Sequence, residues 1–375
     1  MSAAPSAGNS TVPFAYLSEQ FANPDAIFDD IRSLVATGDF TLGGALETFE
    51  QEFADRLGAN HAIGVNCGTD AIRLSLMAAG IGPGDEVITA ANTFIGTVGA
   101  IHEVGARPIF VDVDDTFCLD VDQMATAINS KTKALLPVHL TGNMANMPRI
   151  ISVAEEAGLP VIEDACQAIC STWNGKAAGT FGLTGTFSLH PLKFLNIWGD
   201  GGVITTNDNE VATRLRLIRN HGLKDRDTVV LMGVNSRLDT LQAIVARHIL
   251  RQADEIISRR NAVADTYDRG LSGLPGVKVP QRTPEVGHTF VTYQILADKR
   301  DDLMAYCRDR GVDAKIHYPM PVYCQPGLAQ FGYKLGDFPN SDRQAQTTLT
   351  LPVHQYVKLE QTAHIIETVR GFFGK

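Results

Sequence analysis

The chain has 375 residues, 44% of them hydrophobic and 20% charged, and a formal net charge of −10. That length and composition build a substantial core, as two domains or as one large α/β domain with a smaller appendage, and exclude whole-chain disorder. The acidic balance argues against nucleic-acid binding, which needs a basic footprint, but leaves room for a locally basic pocket that takes an anionic small molecule.

The first dozen residues, rich in Ala, Ser and Gly, read as a loose tail without the basic-then-apolar pattern of a secretory signal. No apolar run is long enough to span a bilayer, so no membrane partner is expected and a cytoplasmic location is. From residue 60 short apolar runs alternate with helical ones. Ala62–Asn66 reads as a strand, and Thr69–Ala79 as a helix with Ile72, Leu76 and Ala79 on one face. Gly82-Pro83-Gly84-Asp85 marks a turn. Strands are expected at 86–90, 108–113, 134–139 and 160–163, and helices at 94–104 and 148–157. Two more strands, 186–189 and 203–206, flank a loop that holds Lys193. A long helical stretch from Leu238 to Tyr267 follows, and beyond Leu271 the texture turns to strand, helix, strand.

Alternating strands and helices with short connections predict an α/β fold with a mostly parallel central sheet flanked by helices. The expected division is an N-terminal segment 1–24, a large domain 25–255 and a smaller C-terminal α+β domain 256–375. Ligands of such sheets gather at the carboxyl ends of the strands. Gly68-Thr69, Asn92-Thr93-Phe94, His139 and Asp164 all follow strand ends and so can converge. The six cysteines, Cys67, Cys118, Cys166, Cys170, Cys307 and Cys324, show no zinc-finger spacing. They read as free thiols in a reducing compartment, and no metal site is expected.

Four residue groups carry chemistry. Gly68-Thr69 opens a helix, whose unpaired N–H groups suit a phosphate, and a plain N-cap at Thr69 is the ordinary alternative. Asp164 ends an apolar strand, where a buried carboxylate needs a partner such as a protonated ring nitrogen or a structural cation. Phe94 offers a flat face to a ring, and Gln167 an amide. Ser188 and Lys193 precede Gly199-Asp200-Gly201-Gly202. An amine there is nucleophilic only if its pKa falls, which a desolvated pocket achieves. Singly, each is ordinary. In this order they point to a cofactor with an aldehyde, a phosphate and a protonatable ring nitrogen, which describes pyridoxal phosphate.

The same residues resemble the DegT/DnrJ/EryC1/StrS sugar aminotransferases, within the PLP-dependent transferases of fold type I. The resemblance runs from Gly38 to Leu351-Pro352. Its most specific pieces are Glu163-Asp164-Ala165-Cys166-Gln167-Ala168 and Ser188–Lys193 with the glycine loop. It implies that Lys193 forms the Schiff base and shuttles the proton, Asp164 pairs with the ring nitrogen, and Gln167 meets the phenolate oxygen. Phe94 stacks on the ring, and Gly68, Thr69 and Ser188 hold the phosphate. Asn235 reaches the phosphate of a neighbouring subunit, which implies a homodimer with shared active sites. His317, Tyr318 and His221 fall at the substrate end. The implied reaction moves an amino group from L-glutamate to a keto sugar, through pyridoxamine phosphate. A nucleotide-linked keto-deoxyhexose is the expected acceptor, giving an amino sugar for polysaccharide or antibiotic biosynthesis. The alternatives are a sugar dehydratase, a branch that carries histidine in place of this lysine, and transamination of a sugar without a nucleotide. Asp200, the stretch Phe194–Trp198 and the pair Asn66-Cys67 depart from the family pattern, which bears on sugar specificity.

Overall fold

The computed structural model describes residues 12–374; the expected loose tail lies largely outside them. The strands in chain order are β1 His61–Val65, β2 Glu86–Ala90, β3 Arg107–Val111, β4 Thr132–Leu136, β5 Ile162–Asp164, β6 Thr172–Trp173 and β7 Lys176–Ala177. They continue with β8 Thr184–Ser188, β9 Gly202–Thr206, β10 Val277–Lys278, β11 Val286–Gly287, β12 Tyr293–Ala297 and β13 Thr348–Leu351. Strands β3, β2 and β4 pair in parallel, as do β5 and β8. Parallel bridges Leu135–Val161 and Val138–Asp164 join the two groups. The result is one layer in the order β3-β2-β4-β5-β8-β9-β1.

Only β9 runs against its neighbours, β8 and β1. The cause lies in the connection. A parallel return needs a crossover, usually a helix, and the segment between Ser188 and Gly202 contains none. The chain therefore turns back directly, and the loop with Lys193 stays at the carboxyl edge of β8. Close packing fixes β8 as well. Gly185 lies against the backbone of Gly179, where any added Cβ would collide. Glu163 of β5 is fully buried and accepts N–H groups from Gly179, Phe181 and Gly182 at 2.7–2.8 Å. Those bonds meet its need for partners and clamp the Gly179–Gly182 turn beneath the sheet edge.

The long helical stretch is two helices, Thr240–Leu250 and Ala253–Leu271, with a turn at Arg251-Gln252. Each half answers to a different core. The first packs on helices Asp25–Thr37 and Gly44–Leu57, the second on helix Leu359–Phe372. One hydrophobic cluster runs from Ile27 to Ile256 around the central sheet. A second joins Val263–Val369 to Val12, and around it β10, β12 and β13 form a separate antiparallel sheet. No helix among the described residues is long and apolar enough to cross a membrane.

Candidate active site

A cavity of about 340 Å³ opens at the carboxyl ends of the parallel strands. Gly68, Thr69, Phe94, Asp164, Gln167, Ser188, Lys193, His317 and Tyr318 all line it. Two expected residues do not. Asn235 and His221 are exposed and lie together, linked through a backbone bond from the His221 N–H to Val234 and a bridge between Asn220 and Asn235. The segment that holds them carries the exposed apolar side chains Val229, Val230 and Met232. His139 lies outside the cavity as well, fully buried, with Nε2 3.1 Å from Glu163 Oε2.

β1 ends at Val65, and helix Gly68–Ala78 begins three residues later. Cys67 caps this helix, its Sγ accepting the Asp70 N–H at 3.4 Å, so Thr69 is free of capping and sits in the first turn. The opening of the helix is set tightly against β8. A Cβ on Gly68 would stand 2.7 Å from Ser188 Cβ and 3.0 Å from Cys166 Sγ. Glycine is what allows the first N–H groups of the helix and the Ser188 hydroxyl to face the same space, an arrangement that suits an anion.

Asp164 is 5% exposed at the end of β5. Its Oδ2 accepts the Thr97 hydroxyl at 2.7 Å and its Oδ1 the Cys166 N–H at 3.1 Å. Thr97 in turn meets Thr93 at 2.7 Å. These neutral donors hold the carboxylate in place, yet none of them balances its charge. Gln167 accepts the Thr141 N–H through Oε1 at 3.0 Å, and its amide N–H side is turned to the Tyr318 hydroxyl in the cavity.

Lys193 follows the turn closed by its own N–H to His190 O at 2.8 Å. Burial pushes its amine below the ordinary lysine value, while Cys166 and Asp164 pull the other way. Burial and Asp164 hold the Cys166 thiol well above its usual range, so it stays neutral and only Asp164 opposes in practice. His317 falls to about 4 through burial, helped by Lys193 and Lys315. Its Nδ1 lies 3.0 Å from Thr350 Oγ1. Tyr318 rises to about 12, chiefly through burial. Its ring meets Phe94 at 5.9 Å between centroids.

Phe194–Trp198, expected to affect sugar choice, line no part of the cavity. Phe194, Leu195 and Ile197 are almost wholly buried, and Trp198 packs edge-on against Phe21 at 5.5 Å. Apolar side chains after the lysine anchor its loop to the core, so this departure belongs to packing. Thr97 and Phe14 line the cavity without having been expected there, whereas Thr93, expected at the strand end beside Phe94, does line it. Thr93 and Thr97 carried one usable signal, two hydroxyls four apart at a helix start beneath a strand end. Phe14 carried none.

The model of the DegT/DnrJ/EryC1/StrS aminotransferase family matches residues 23–370. A protein of Geobacillus stearothermophilus described as a pleiotropic regulatory protein is 41% identical, over 96% of this chain and 98% of its own. The dTDP-3-amino-3,4,6-trideoxy-alpha-D-glucose transaminase of Streptomyces venezuelae is 38% identical, over 96% and 95%. The crystal structure of S. venezuelae DesV in complex with a ketimine intermediate superimposes with a TM-score of 0.95 at 37% identity, covering 97% of this chain and 99% of that one.

Proposed function

The chain belongs to the DegT/DnrJ/EryC1/StrS aminotransferase family, which depends on pyridoxal phosphate, and on that premise we propose that it moves an amino group from L-glutamate to a nucleotide-linked keto sugar. The observation that carries the reading is the single cavity in which Lys193, Asp164, Ser188 and Gly68-Thr69 meet. A nucleotide-linked acceptor is supported by the dTDP-sugar transaminase at 38% identity.

The residues fit the cofactor. Asp164 is a buried carboxylate facing the cavity whose only hydrogen-bond donors are neutral. Burial of such a charge is costly without a cation, and a protonated pyridine nitrogen is one. The helix opening beside Ser188, closed to any Cβ at Gly68, suits a phosphate. When bound, pyridoxal phosphate supplies an aldehyde and an electron-accepting ring.

The protein's part is then acid–base work and orientation. Lys193 Nζ is desolvated and its pKa lowered, so its neutral form is more available near working pH. It takes the α-proton of the amino donor, and in the second half-reaction it returns a proton to the sugar carbon that receives nitrogen. Asp164, held by Thr97 and Cys166, would pair with the ring nitrogen and favour its protonated form. Gln167, whose amide meets Tyr318 in the cavity, would offer an N–H to the phenolate oxygen. Phe94 would cover one ring face, and His317, neutral across the physiological range, would border the substrate end with Tyr318. The assembly we propose is a homodimer in which Asn235, beside the exposed Val229, Val230 and Met232, reaches the phosphate site of a second copy, with His221 near the substrate end of that shared site. The large and small domains we propose divide at residue 256, and the location is cytoplasmic.

The test is a panel of nucleotide-linked keto sugars with glutamate, read by mass spectrometry, run on the protein and on its Lys193→Ala variant. An amino sugar from the first and none from the second supports the reading. Equal turnover by both, or no acceptor that carries a nucleotide, sinks it.

A further inference from the structure

The segment Val12–Tyr16 precedes residue 23, where the family match begins. Of its residues only Phe14 lines the cavity. The segment is nevertheless pinned at several points. The Val12 N–H donates to Gly311 O at 2.9 Å, and Val12 O accepts the Asp313 N–H at 3.1 Å. The Phe14 N–H donates to Asp313 Oδ2 at 3.4 Å, and His354 Nε2 lies 3.0 Å from Pro13 O. The segment is thereby bound to the part of the chain that surrounds the second hydrophobic cluster. Its far end reaches the first. Tyr16 is 6% exposed, its ring stacked on His354 at 4.9 Å, and its hydroxyl stands at the Lys193 loop.

Three groups meet the Tyr16 oxygen. Arg260 Nη2 donates to it at 2.8 Å and Asn196 Nδ2 at 3.3 Å. A phenol has one proton and two lone pairs. With both lone pairs engaged, the proton is left for the third neighbour, the backbone carbonyl of Lys193 at 3.4 Å. Arg260 is itself unusual. It is 2% exposed, and its side chain donates to Gln355 Oε1, Phe290 O and Tyr16, all neutral acceptors. Among the described residues it makes no ion pair. A buried guanidinium is costly to hold in this way. Its charge lies 5.5 Å from the Tyr16 ring centre and 5.5 Å from that of Phe194, the residue after Lys193. The cation therefore polarises the phenol that grips one side of Lys193 and faces the ring beside it.

We propose that Tyr16, polarised by Arg260, is a positioning residue for Lys193, fixing the backbone from which the amine reaches the cavity. The inference rests on the reading of Lys193 as the proton carrier. A proton carrier is effective only when held close to its reaction geometry, and small displacements cost rate steeply. The Lys193 loop has no helix or ladder of its own. Phe194, Leu195 and Ile197 anchor the loop beyond the lysine; Tyr16 adds a fixed point at the lysine's own carbonyl, and because Arg260 sits on helix Ala253–Leu271, it ties the loop to the body around the second cluster.

Tyr16→Phe tests this on the holoenzyme, since it removes one oxygen and keeps the ring stack on His354. The expected result is a fall of about tenfold in kcat, with KM for the amino donor moving less than about twofold. The limb of the pH–rate profile set by free Lys193 moves up as the loosened amine becomes better hydrated, and the visible absorption of the bound cofactor shifts its pH midpoint in step. Melting temperature falls modestly, because Arg260 and Asn196 lose an acceptor, while cofactor retention at assay temperature stays unchanged. Arg260→Met is expected to reproduce the spectral shift, and the double variant to be no worse in kcat than the worse single. A Tyr16→Phe protein with the parent kcat, pH profile and spectrum overturns the proposal. So does a fall in kcat that merely tracks lost cofactor, with the pH profile and spectrum of the protein that retains it unchanged. Lys193→Ala separates the two readings. If that variant is inactive while Tyr16→Phe matches the parent, only the present inference fails; if Lys193→Ala stays active, the assignment of Lys193 fails first.

Discussion

The cavity has two unlike walls. One is built at strand ends, by Gly68 and Thr69 after β1, Asp164 closing β5, Ser188 closing β8 and Lys193 just beyond. The other is carried in from distant stretches, by Phe14, Val291, Thr292, His317 and Tyr318. In the first wall the ladder of the sheet fixes the backbone, and buried hydrogen bonds such as Thr97 to Asp164 fix the side chains. In the second, side chains are held by packing between segments hundreds of residues apart, such as Phe14 stacked on His317 at 5.7 Å. The difference suggests a division of labour. Chemistry common to every substrate belongs on the rigid wall, and choice of substrate on the assembled one.

The largest effects are then expected at the strand ends, whatever the acceptor. Lys193→Ala should lower kcat by about 10³-fold or more, because a positioned acid–base group alone contributes about 10²–10⁴-fold. Rate constants with several acceptors check this, and a loss confined to one acceptor would break the division. Asp164→Asn keeps an acceptor for the Cys166 N–H, replaces the oxygen that meets Thr97 with an amide N–H that the Thr97 hydroxyl can accept by rotating, and removes the charge. A drop of about 10²–10³-fold, typical of losing a preorganised electrostatic partner, is expected with every substrate. If the loss were small, the carboxylate would be structural and the rigid wall would owe less to charge than its burial implies.

The assembled wall should respond more to pH. His317 titrates near 4 when folded and near the ordinary value of about 6.5 when unfolded. Between those values the unfolded chain binds more protons, so this stability is complete above about 6.5 and is lost as pH falls toward 4. From pH 7 to 5 the loss is on the order of 2 kcal/mol from this residue. His288 and His354 are lowered by burial too and add in the same direction. Denaturant melts of the parent and of His317→Asn at both pH values measure the share. An unchanged acid sensitivity in the variant would show that His317 is hydrated in solution and the wall looser than drawn.

The same contrast decides what could be read from sequence. Strand-end residues were legible because a strand's periodicity predicts where it stops, and Asp164, Ser188 and Gly68 need only that. The alternation of elements likewise implied a mostly parallel sheet, though not that β9 reverses, since orientation depends on the missing crossover after Ser188. The break at Arg251-Gln252 was hidden because the apolar pattern continues while the core it faces changes. Tyr16 and Phe14 sit in a segment without periodicity, and their partners lie far away in sequence. The departure at Phe194–Trp198 was read for sugar specificity, yet these residues line no part of the cavity, for a related reason. A departure from a family pattern does not say which way side chains point, and only tertiary packing seals Phe194, Leu195 and Ile197 in the core.

Phe94 is the seam between the walls and offers the finest test of the comparison. It follows β2, so the sheet positions it, yet it is 49% exposed and its ring meets Tyr318 of the assembled wall at 5.9 Å, tilted by 38°. Such ring pairs contribute about 0.5–1.5 kcal/mol beyond the area they bury. A double-mutant cycle with Phe94→Leu and Tyr318→Leu, read from cofactor-free stability, should therefore give a coupling near the lower end of that range, about 0.5 kcal/mol, because half of the Phe94 ring faces solvent. The same cycle read from cofactor affinity should couple more strongly, since burying the shared face strengthens the contact. Zero coupling in both readings would mean that the two walls act independently, and that Phe94 belongs wholly to the rigid one. Coupling that vanishes only when the cofactor is bound would place Tyr318 with the substrate, and would move the boundary between the walls to the far side of its ring.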